Sequence, residues 1–529
     1  MPNALLSVYD KEGIVEFGNG LLDLGFTLYA SGGTARVLVE AGLTVHDVSE
    51  LVKGEAILGH RVVTLSREVH AGLLATDEQL DELTNRLGLP RLDLVCVDLY
   101  PLKKEIAKEG STRESVTEMT DIGGPTMLRS GAKGRRVVIA RAKDRQKVMQ
   151  WLRDNQPDKV EFLEILAGDA EGVVADYCVT SARFISDGRW DGFVGERVVE
   201  CKAENGQQGT AGLFSFLDCE DPLALGSFQL IDGAPLSYNN WCDIDRMLQT
   251  MTHIAGVWPW HYGTVPFIAI GVKHGNPCGA SVGKAEGAII AMVAGDTRAI
   301  FGGLVMTNFP MTLDLAETLL TYLMPEGQRR LLDGIVAPGF EEGAIALLRR
   351  KGDKCRFVVN LALEKLDSTS LDVAPRFRCV RGGFLRQPNY THLLEMNLAK
   401  KYLRVTDTQK KDLLLAWAIC STSNSNTITL VKNSMLIGNG VGQQDRVGAA
   451  KLAISRAIDA GHSTEGAVAC SDSFFPFPDA PKVLLDAGIK AILATSGSVN
   501  DKLTIEACRQ TGVPIYLIPD ADGRGFFGH

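Results

Sequence analysis

Short apolar runs alternate with amphipathic segments through the first 190 residues. Residues 4–8, 26–30 and 94–98 have the length and apolar content of buried strands. Residues 11–24 and 35–41 instead have the spacing of amphipathic helices. This alternation predicts a parallel α/β sheet.

The pattern changes between residues 191 and 215, which are mostly polar and contain glycine. Beyond them the α/β alternation resumes and continues to the end. A chain of 529 residues is too long for a single core. We therefore predict a first domain over residues 1–190, a connection over 191–215 and a second region over 216–529.

Composition narrows the class of protein. The net charge is −9 without a long basic block, which argues against binding to nucleic acid or membranes. The N-terminal residues lack a signal-peptide pattern, and no apolar run reaches the roughly 18 residues of a membrane span. The 11 cysteines form no CxxC pair, so we expect reduced thiols in a cytoplasmic protein.

Two adjacent titratable residues are the first candidate for chemistry. The apolar run 265–272 predicts a buried strand that ends at Lys273 and His274, and Asn-Pro-Cys-Gly at 276–279 predicts a turn. The lysine charge favours a neutral imidazole, which can accept a proton. The alternative interpretation is a surface lysine beside a histidine that caps a turn.

Three glycine-rich segments, at residues 31–34, 121–126 and 438–446, are predicted turns next to helix starts or basic residues. Backbone amides at such turns can bind phosphate, although a glycine-rich segment of this kind is more often only a turn. The phenylalanines of residues 471–477 have two interpretations, core packing or a wall for a flat heterocycle.

Together these motifs resemble one family. SVYDKEG, ASGGTA, DLYP, DIGGPT, LSYNN, KHGNPCG, DGIVAPGFEE, GNGVGQQDR and SDSFFPFPD occur in the order found in the bifunctional AICAR transformylase/IMP cyclohydrolase family of purine biosynthesis. The resemblance implies an N-terminal methylglyoxal-synthase-like domain and a C-terminal transformylase region of two cytidine-deaminase-like units. It also implies the last two steps to IMP, with 10-formyl-tetrahydrofolate as co-substrate, no metal, and a homodimer.

For the formyl transfer, the resemblance implies a base and an acid, because the aminoimidazole amine is a poor nucleophile. His274 would be the base and Lys273 the acid or electrostatic partner. Asp333 would lie on the folate side. The residues that would line the substrate pocket are Tyr238, Asn239, Asn426, Arg446, Phe475 and Arg524.

For the ring closure, the resemblance implies catalytic roles for Tyr100, Asp121 and Lys133. A phenol donor and a proton-moving pair suit an attack that develops charge on an oxygen. The residues that would hold the nucleotide phosphate are Lys11, Ser31, Gly33, Thr34, Arg61 and Thr64.

The chain departs from the family in three places. The family's usual string RVKTLHP reads Arg-Val-Val-Thr-Leu-Ser-Arg here. Val63 therefore replaces a functional lysine, and Ser66-Arg67 replaces His-Pro. Arg67 or His60 is a candidate to compensate for the lost lysine. The usual RYGENPHQ has decayed at 201–208, where Lys202 is a candidate substitute. The Ser before Phe-Gly-Gly aligns with Ala299 or Ile300.

Three hypotheses remain. The first is the bifunctional enzyme, the second a transformylase with weakened or lost cyclisation, and the third a non-catalytic protein that binds purine nucleotides. A zinc deaminase is opposed by the residues, because it requires PCxxC and HxE. Pro277-Cys278 is followed by Gly-Ala-Ser rather than a second cysteine, so a structural role for Cys278 is favoured.

Overall fold

The computed structural model describes residues 1–54, 57–58, 62–204, 209–217, 219–396 and 399–525. Its contacts divide the chain into two units. The first unit is Met1–Glu196 with Phe216–Asp218, and the second is Arg197–Ser215 with Cys219–His529. In the part of the chain that is described, no helix has both the length and the apolar character needed to span a membrane.

The first unit contains a five-stranded parallel sheet in the order β3-β2-β1-β4-β5. Its strands are β1 (Asn3–Val8), β2 (Thr27–Ala30), β3 (Val45–Asp47), β4 (Leu94–Asp98) and β5 (Val137–Ile139). Its helices are α1 (Ile14–Asp23), α2 (Gly32–Glu40), α3 (Val48–Val52), α4 (Arg67–Leu74), α5 (Leu102–Ala107), α6 (Arg113–Glu118), α7 (Gly123–Lys133), α8 (Asp144–Arg153) and α9 (Lys159–Ile185).

Both faces of this sheet are buried. In β1, Ala4, Leu6 and Val8 join one apolar cluster, whereas Leu5 joins the cluster on the opposite face. A strand buried on both faces reads as a continuous apolar run, which explains why these strands were predictable. The strand predictions at 4–8, 26–30 and 94–98 are confirmed.

Two of the predicted glycine-rich turns are helix starts instead. The segment 31–34 begins helix α2 at Gly32, and the segment 121–126 begins helix α7 at Gly123. The first turn of a helix tolerates glycine, and it tolerates proline because its N–H groups have no partner within the helix. Pro125 stands in the first turn of α7 for this reason.

The segment predicted as a connection forms two strands, β6 (Gly195–Lys202) and β7 (Thr210–Phe216), which pair with each other. Residues 205–208, at the centre of the decayed motif, lie outside the described residues.

The second unit contains a 12-stranded mixed sheet in the order β16-β21-β20-β19-β17-β18-β10-β9-β11-β12-β13-β8. Its strands are β8 (Gln229–Asp232), β9 (Phe267–Lys273), β10 (Asn276–Gly283), β11 (Leu304–Thr307), β12 (Gly334–Ala337), β13 (Arg356–Val359), β16 (Lys400–Tyr402), β17 (Ile428–Lys432), β18 (Met435–Gly440), β19 (Val468–Ser471), β20 (Ala491–Ser496) and β21 (Ile515–Pro519). A separate hairpin consists of β14 (Arg376–Val380) and β15 (Gly383–Gln387).

The helices of this unit are α10 (Tyr238–Tyr262), α11 (Ala285–Gly295), α12 (Leu313–Thr321), α13 (Ala344–Leu348), α14 (Asp407–Ser421), α15 (Arg446–Asp459), α16 (Asp479–Asp486), α17 (Asp501–Gln510) and α18 (Asp520–Gly523). Helices α10 and α14 share one large apolar cluster with the sheet. Helices α11 and α15 belong to two separate clusters that involve alternate strand residues.

The 12-stranded sheet is an internal duplication. From one outer edge the order is β8-β13-β12-β11-β9-β10, and from the other it is β16-β21-β20-β19-β17-β18, with the same parallel and antiparallel neighbours. The copies meet at β10 and β18, where Ser281 pairs with Met435. Two similar units in tandem are what the resemblance led us to expect.

Candidate active sites

The first candidate site lies at the carboxyl ends of β1 and β2. Lys11 Nζ donates to the carbonyl oxygens of Val8 and Tyr9, the latter at 2.9 Å. Thr34 Oγ1 donates to Val8 O at 3.1 Å, and Ser31 Oγ lies 3.0 Å from Ser7 Oγ. Burial lowers the pKa of Lys11, which neighbouring Asp98 counteracts.

A cradle for an anion is built into this edge. A side chain at Gly33 would approach Lys11 Cε to 3.8 Å, so the absence of one keeps the start of α2 open beside the lysine. Helix N-termini present unpaired N–H groups and a positive dipole end to anions. Because ligands of open α/β sheets bind outside the carboxyl ends of the strands, this cradle is suited to a phosphate.

The neighbouring carboxyl end of β4 brings together further predicted residues. The rings of Tyr100 and Tyr9 meet edge to face, with centroids 5.6 Å apart. Burial raises the pKa of Tyr100, and the charge of Asp121 raises it further, so the phenol keeps its proton. Thr64 lies against the start of α7, because a Cβ at Gly123 would lie 2.8 Å from Thr64 Oγ1.

Asp121 is held firmly at the start of α7. Its Oδ1 accepts from Gly124 N at 2.8 Å, and its own amide donates to the Tyr177 hydroxyl at 2.7 Å. Burial raises the pKa of Asp121, against the effect of hydrogen bonds from the amides of Gly124, Tyr100 and Gly123. Since the carboxylate itself caps α7, the N-terminus of this helix is not a free phosphate site.

Lys133 is separated from this group. It is the last residue of the 11-residue helix α7, whereas Asp121 accepts from Gly124 N in the first turn of this helix. At 1.5 Å per residue, the two ends lie about 15 Å apart. Lys133 instead lines a cavity of about 710 Å³ beside Asp93 and Arg136, at the amino ends of the strands.

The altered segment near residue 63 is partly described. Val63 is half-buried and packs against the apolar cluster that contains Leu5 and Met127. Arg67, whose side chain is 86% exposed, pairs with Glu68 at 3.2 Å. Arg61 and His60 lie outside the described residues.

The second candidate site is built on a turn between β9 and β10. Lys273 pairs with Asn276, so His274 and Gly275 alone form the turn. Their φ values are +54° and +71°, the positive pair that a type I′ hairpin turn requires. The prediction that residues 276–279 turn the chain was therefore wrong, because these residues begin β10.

Buried and charged groups surround this turn. Asp243 Oδ1, on α10, accepts from Gly275 N at 2.6 Å. Lys273 Nζ donates to Phe301 O at 2.7 Å, while the His274 side chain is exposed. Asp333 precedes β12 at this edge of the sheet and pairs with Arg350 at 2.7 Å.

A polar network extends along the same edge. Arg446 donates to Asn426 Oδ1 at 2.5 Å and to the buried Asp472 at 3.0 Å. The antiparallel pairing of β10 with β18 places the His274 turn at the edge where β18 ends. Asn439 Nδ2, near that end, donates to Pro277 O at 3.2 Å.

Helix α10 links the turn to this network. Arg246, one helical turn after Asp243, donates to Asn424 Oδ1 at 3.0 Å. Burial lowers the pKa of Arg246 to about 10, and Asp245 opposes this effect.

The remaining predicted residues occupy varied places. Tyr238 and Asn239 are exposed at the start of α10. Lys202, whose side chain is also exposed, pairs through an isolated backbone β-bridge with Ser237, the residue before Tyr238. Phe475 is buried in an apolar core cluster, as expected of core packing. Arg524 pairs with Asp520 and lies over the ring of Phe474, 5.6 Å from its centroid.

Cys278 has the surroundings of a structural thiol. Its Sγ donates to Gly271 O at 3.4 Å, and the side chain packs against an apolar cluster. Burial raises the pKa of Cys278 to about 12, so the thiol keeps its proton at neutral pH.

Comparisons with known proteins add sequence similarity to this geometric evidence. Residues 135–456 match the model of the AICARFT/IMPCHase bienzyme, and residues 13–126 match that of the MGS-like domain. The bifunctional purine biosynthesis protein PurH of Staphylococcus aureus strains bovine RF122 / ET3-1 and MRSA252 is 34% identical over 525 residues, covering 98% of each chain. The chain belongs to the AICARFT/IMPCHase bienzyme family.

A solved structure is also similar. The crystal structure of ForH is 32% identical to this chain, with 36% of this chain and 100% of that chain covered. The TM-score is 0.33, too low to support a conclusion about the fold. Members of the bienzyme family are both AICAR transformylases and IMP cyclohydrolases, acting in the last two steps of purine synthesis.

Sequence reasoning missed Asp243, Arg246 and Asp472. A signal for the first was present: Ser237, Asn240 and Asp243 occur at the same helical positions in α10 as Thr406, Gln409 and Asp412 in α14. Both sets begin with a capping box and continue with an aspartate three residues later. Arg246 and Asp472 have no comparable signal, since each is defined by a partner distant in sequence.

Proposed function

We propose that this chain transfers a formyl group from 10-formyl-tetrahydrofolate to AICAR at the His274 turn. We propose further that it closes the ring of formyl-AICAR at the carboxyl edge of the first unit. Membership of the bienzyme family supports both reactions. The assignment of residues rests on the geometry below.

The formyl transfer requires two proton movements. The formyl donor supplies the electrophilic carbon. His274 accepts the proton that the AICAR amine loses as its nitrogen bonds to that carbon. Lys273 stabilises the departing folate nitrogen, which gains a proton as its bond to the formyl carbon breaks. The products are formyl-AICAR and tetrahydrofolate.

One observation carries this assignment: an exposed histidine stands in a two-residue turn, next to a lysine, at the edge that also holds Asn426 and Arg446. A histidine with only a structural role does not require an exposed place beside these polar residues. Asp333 at the same edge supports the folate side of the pocket.

The test is an assay with purified protein, AICAR and 10-formyl-tetrahydrofolate, with chromatography to separate formyl-AICAR from IMP. Formation of either product with release of tetrahydrofolate supports the proposal. A protein that binds AICAR but releases no tetrahydrofolate is the non-catalytic homologue.

In the ring closure, the carboxamide nitrogen attacks the formyl carbon and water is then lost. Tyr100 donates to the developing oxyanion, since its phenol keeps its proton. Asp121 accepts a proton from the attacking nitrogen, and the cradle of Lys11, Ser31, Gly33 and Thr34 holds the phosphate.

A weakened cyclohydrolase is the second candidate function, and Val63 favours it. A half-buried valine supplies no cation where the family usually has a lysine. In addition, Lys133 lies about 15 Å from Asp121 along helix α7, so it does not replace that charge.

We also propose a cytoplasmic homodimer. The β14–β15 hairpin supports a dimer interface, because Val380, Phe384 and Leu385 are 42%, 37% and 61% exposed there. Light scattering should give twice the 57.2 kDa of one chain. Leu385→Glu should produce monomers, whereas the control Leu361→Glu, at a side chain that is also exposed, should not. A wild-type monomer at assay concentration would overturn this proposal.

A further inference from the structure

We infer that Asp243 is a positioning residue for formyl transfer, which holds the turn that presents His274 and supplies the negative charge that faces it. This inference rests on the function proposed for His274. Asp243 is 7% exposed, so it acts through the turn rather than by contact with substrate.

The turn has to be held because its backbone is unfavourable. His274 has a φ of +54°, in the left-handed region that side chains other than glycine seldom adopt. The hydrogen bond from Gly275 N to Asp243 Oδ1, at 2.6 Å, ties the turn to helix α10. Helix α10 is buried along most of its length, so it is a rigid support.

The duplicated half contains the same device without the histidine. Asn433 and Ser434 form the turn between β17 and β18, with φ values of +53° and +60°. Their amides donate to Asp412, at 2.9 and 2.6 Å, and Asp412 occupies the same position in α14 as Asp243 does in α10. An aspartate at this helix position is therefore a turn-holding feature of the fold.

The two copies differ in what the carboxylate does besides holding the turn. Asp412 accepts from both turn amides, one with each oxygen. Asp243 accepts from Gly275 with Oδ1, and within the described chain Oδ2 has no hydrogen-bond donor. Asp243 therefore holds its turn through one backbone amide, whereas Asp412 holds its turn through two.

The charges around Asp243 fit this role. Burial raises the pKa of Asp243, whereas its bond with Gly275 and the charges of His274 and Arg246 lower it. Asp333 is the further carboxylate that acts on it, and Lys273 directs its ammonium toward Phe301 O. An Asp243 carboxylate that has lost its proton stabilises the imidazolium that forms when His274 takes a proton.

The test compares matched variants of the two aspartates. Asp243→Ala, Asp243→Asn, Asp412→Ala and Asp412→Asn are assayed for kcat, KM for AICAR and thermal midpoint, with His274→Ala alongside. Loss of a charge-assisted contact lowers rates by about ten- to a hundredfold. We expect that loss in the kcat of Asp243→Ala with KM for AICAR little changed, and a smaller loss for Asp243→Asn, which keeps an acceptor for Gly275. Both Asp412 variants should lose thermal stability and keep kcat.

If His274→Ala is inactive but both Asp243 variants keep the kcat of their Asp412 counterparts, Asp243 is merely structural and this inference fails. If His274→Ala is fully active, the proposed function itself fails. Should Asp243→Ala not fold, Asp243→Asn decides: a kcat equal to that of Asp412→Asn overturns the inference.

Discussion

The two candidate sites differ in what holds their residues in place. The site in the first unit combines a cradle fixed by strand ends with a segment around Val63, whereas the site in the second unit stands on a turn braced from a buried helix. In the first site, Val63 stands where the resemblance places a lysine, and Lys133 lies at the end of α7 opposite Asp121. In the second site, four predicted residues share one sheet edge: Lys273, His274, Asn426 and Arg446. The second site therefore keeps its predicted residues together on one braced edge, whereas the residues predicted for the first site are spread over both ends of helix α7.

The largest effect should follow from His274→Ala, which separates the two sites. Loss of a positioned base lowers a rate by roughly a hundredfold to ten-thousandfold. We expect this loss in formyl transfer and an unchanged rate of ring closure when formyl-AICAR is supplied directly. A parallel fall in both rates would show that the two sites are not independent.

Asp121→Asn should affect the opposite reaction. We expect ring closure to slow by about a hundredfold, the loss typical of a general base, with formyl transfer unchanged. Because burial raises the pKa of Asp121, the wild-type rate should fall as the pH drops through a value above that of an ordinary carboxyl. Closure rates measured against pH should lose this acid limb in the variant; a retained limb would assign it to another group.

Val63→Lys should restore the missing cation. One charge-assisted contact is worth about 1.5–3 kcal/mol, so ring closure should accelerate roughly ten- to a hundredfold. The lysine stem can pack where Val63 packs while the ammonium reaches solvent. Val63→Met is the matched control, with a long stem and no charge. Equal rates in wild type, Val63→Lys and Val63→Met would mean that the site was rebuilt without this lysine.

The smallest effect should come from Lys133→Ala. Its position about 15 Å from Asp121 along α7 predicts a change in closure rate of less than about threefold. Initial rates with supplied formyl-AICAR measure it. A loss as large as that of Asp121→Asn would show that Lys133 reaches the chemistry in the working assembly.

The sequence was most informative where burial dictates the pattern. Strand β4, with both faces covered, has the predicted bounds Leu94–Asp98. The turn at His274 was misplaced because asparagine, proline and glycine are common in turns, and Asn276-Pro277 follows directly. What fixes the real turn is Asp243, which lies 32 residues before Gly275, and such a contact has no local signature.

The candidate sites show the same difference between residues that have a local sequence signal and residues that have none. Lys273, His274, Asn426 and Arg446 were predicted from motifs, and they share one sheet edge. Their supports Arg246 and Asp472 were not predicted, because only folding brings them to Asn424 and Arg446. The role of Lys133 stays a prediction, and helix α7 places this lysine at the end opposite Asp121, which a motif alone does not reveal.

The central claim is a complete formyl-transfer site beside a weakened ring-closing site, and a progress curve of the wild-type protein tests it most directly. With AICAR and 10-formyl-tetrahydrofolate supplied, the amounts of formyl-AICAR and IMP are followed over time. We predict that formyl-AICAR accumulates first and is converted slowly to IMP, and that Val63→Lys abolishes the accumulation. Immediate formation of IMP by the wild type, without accumulated formyl-AICAR, would contradict the account.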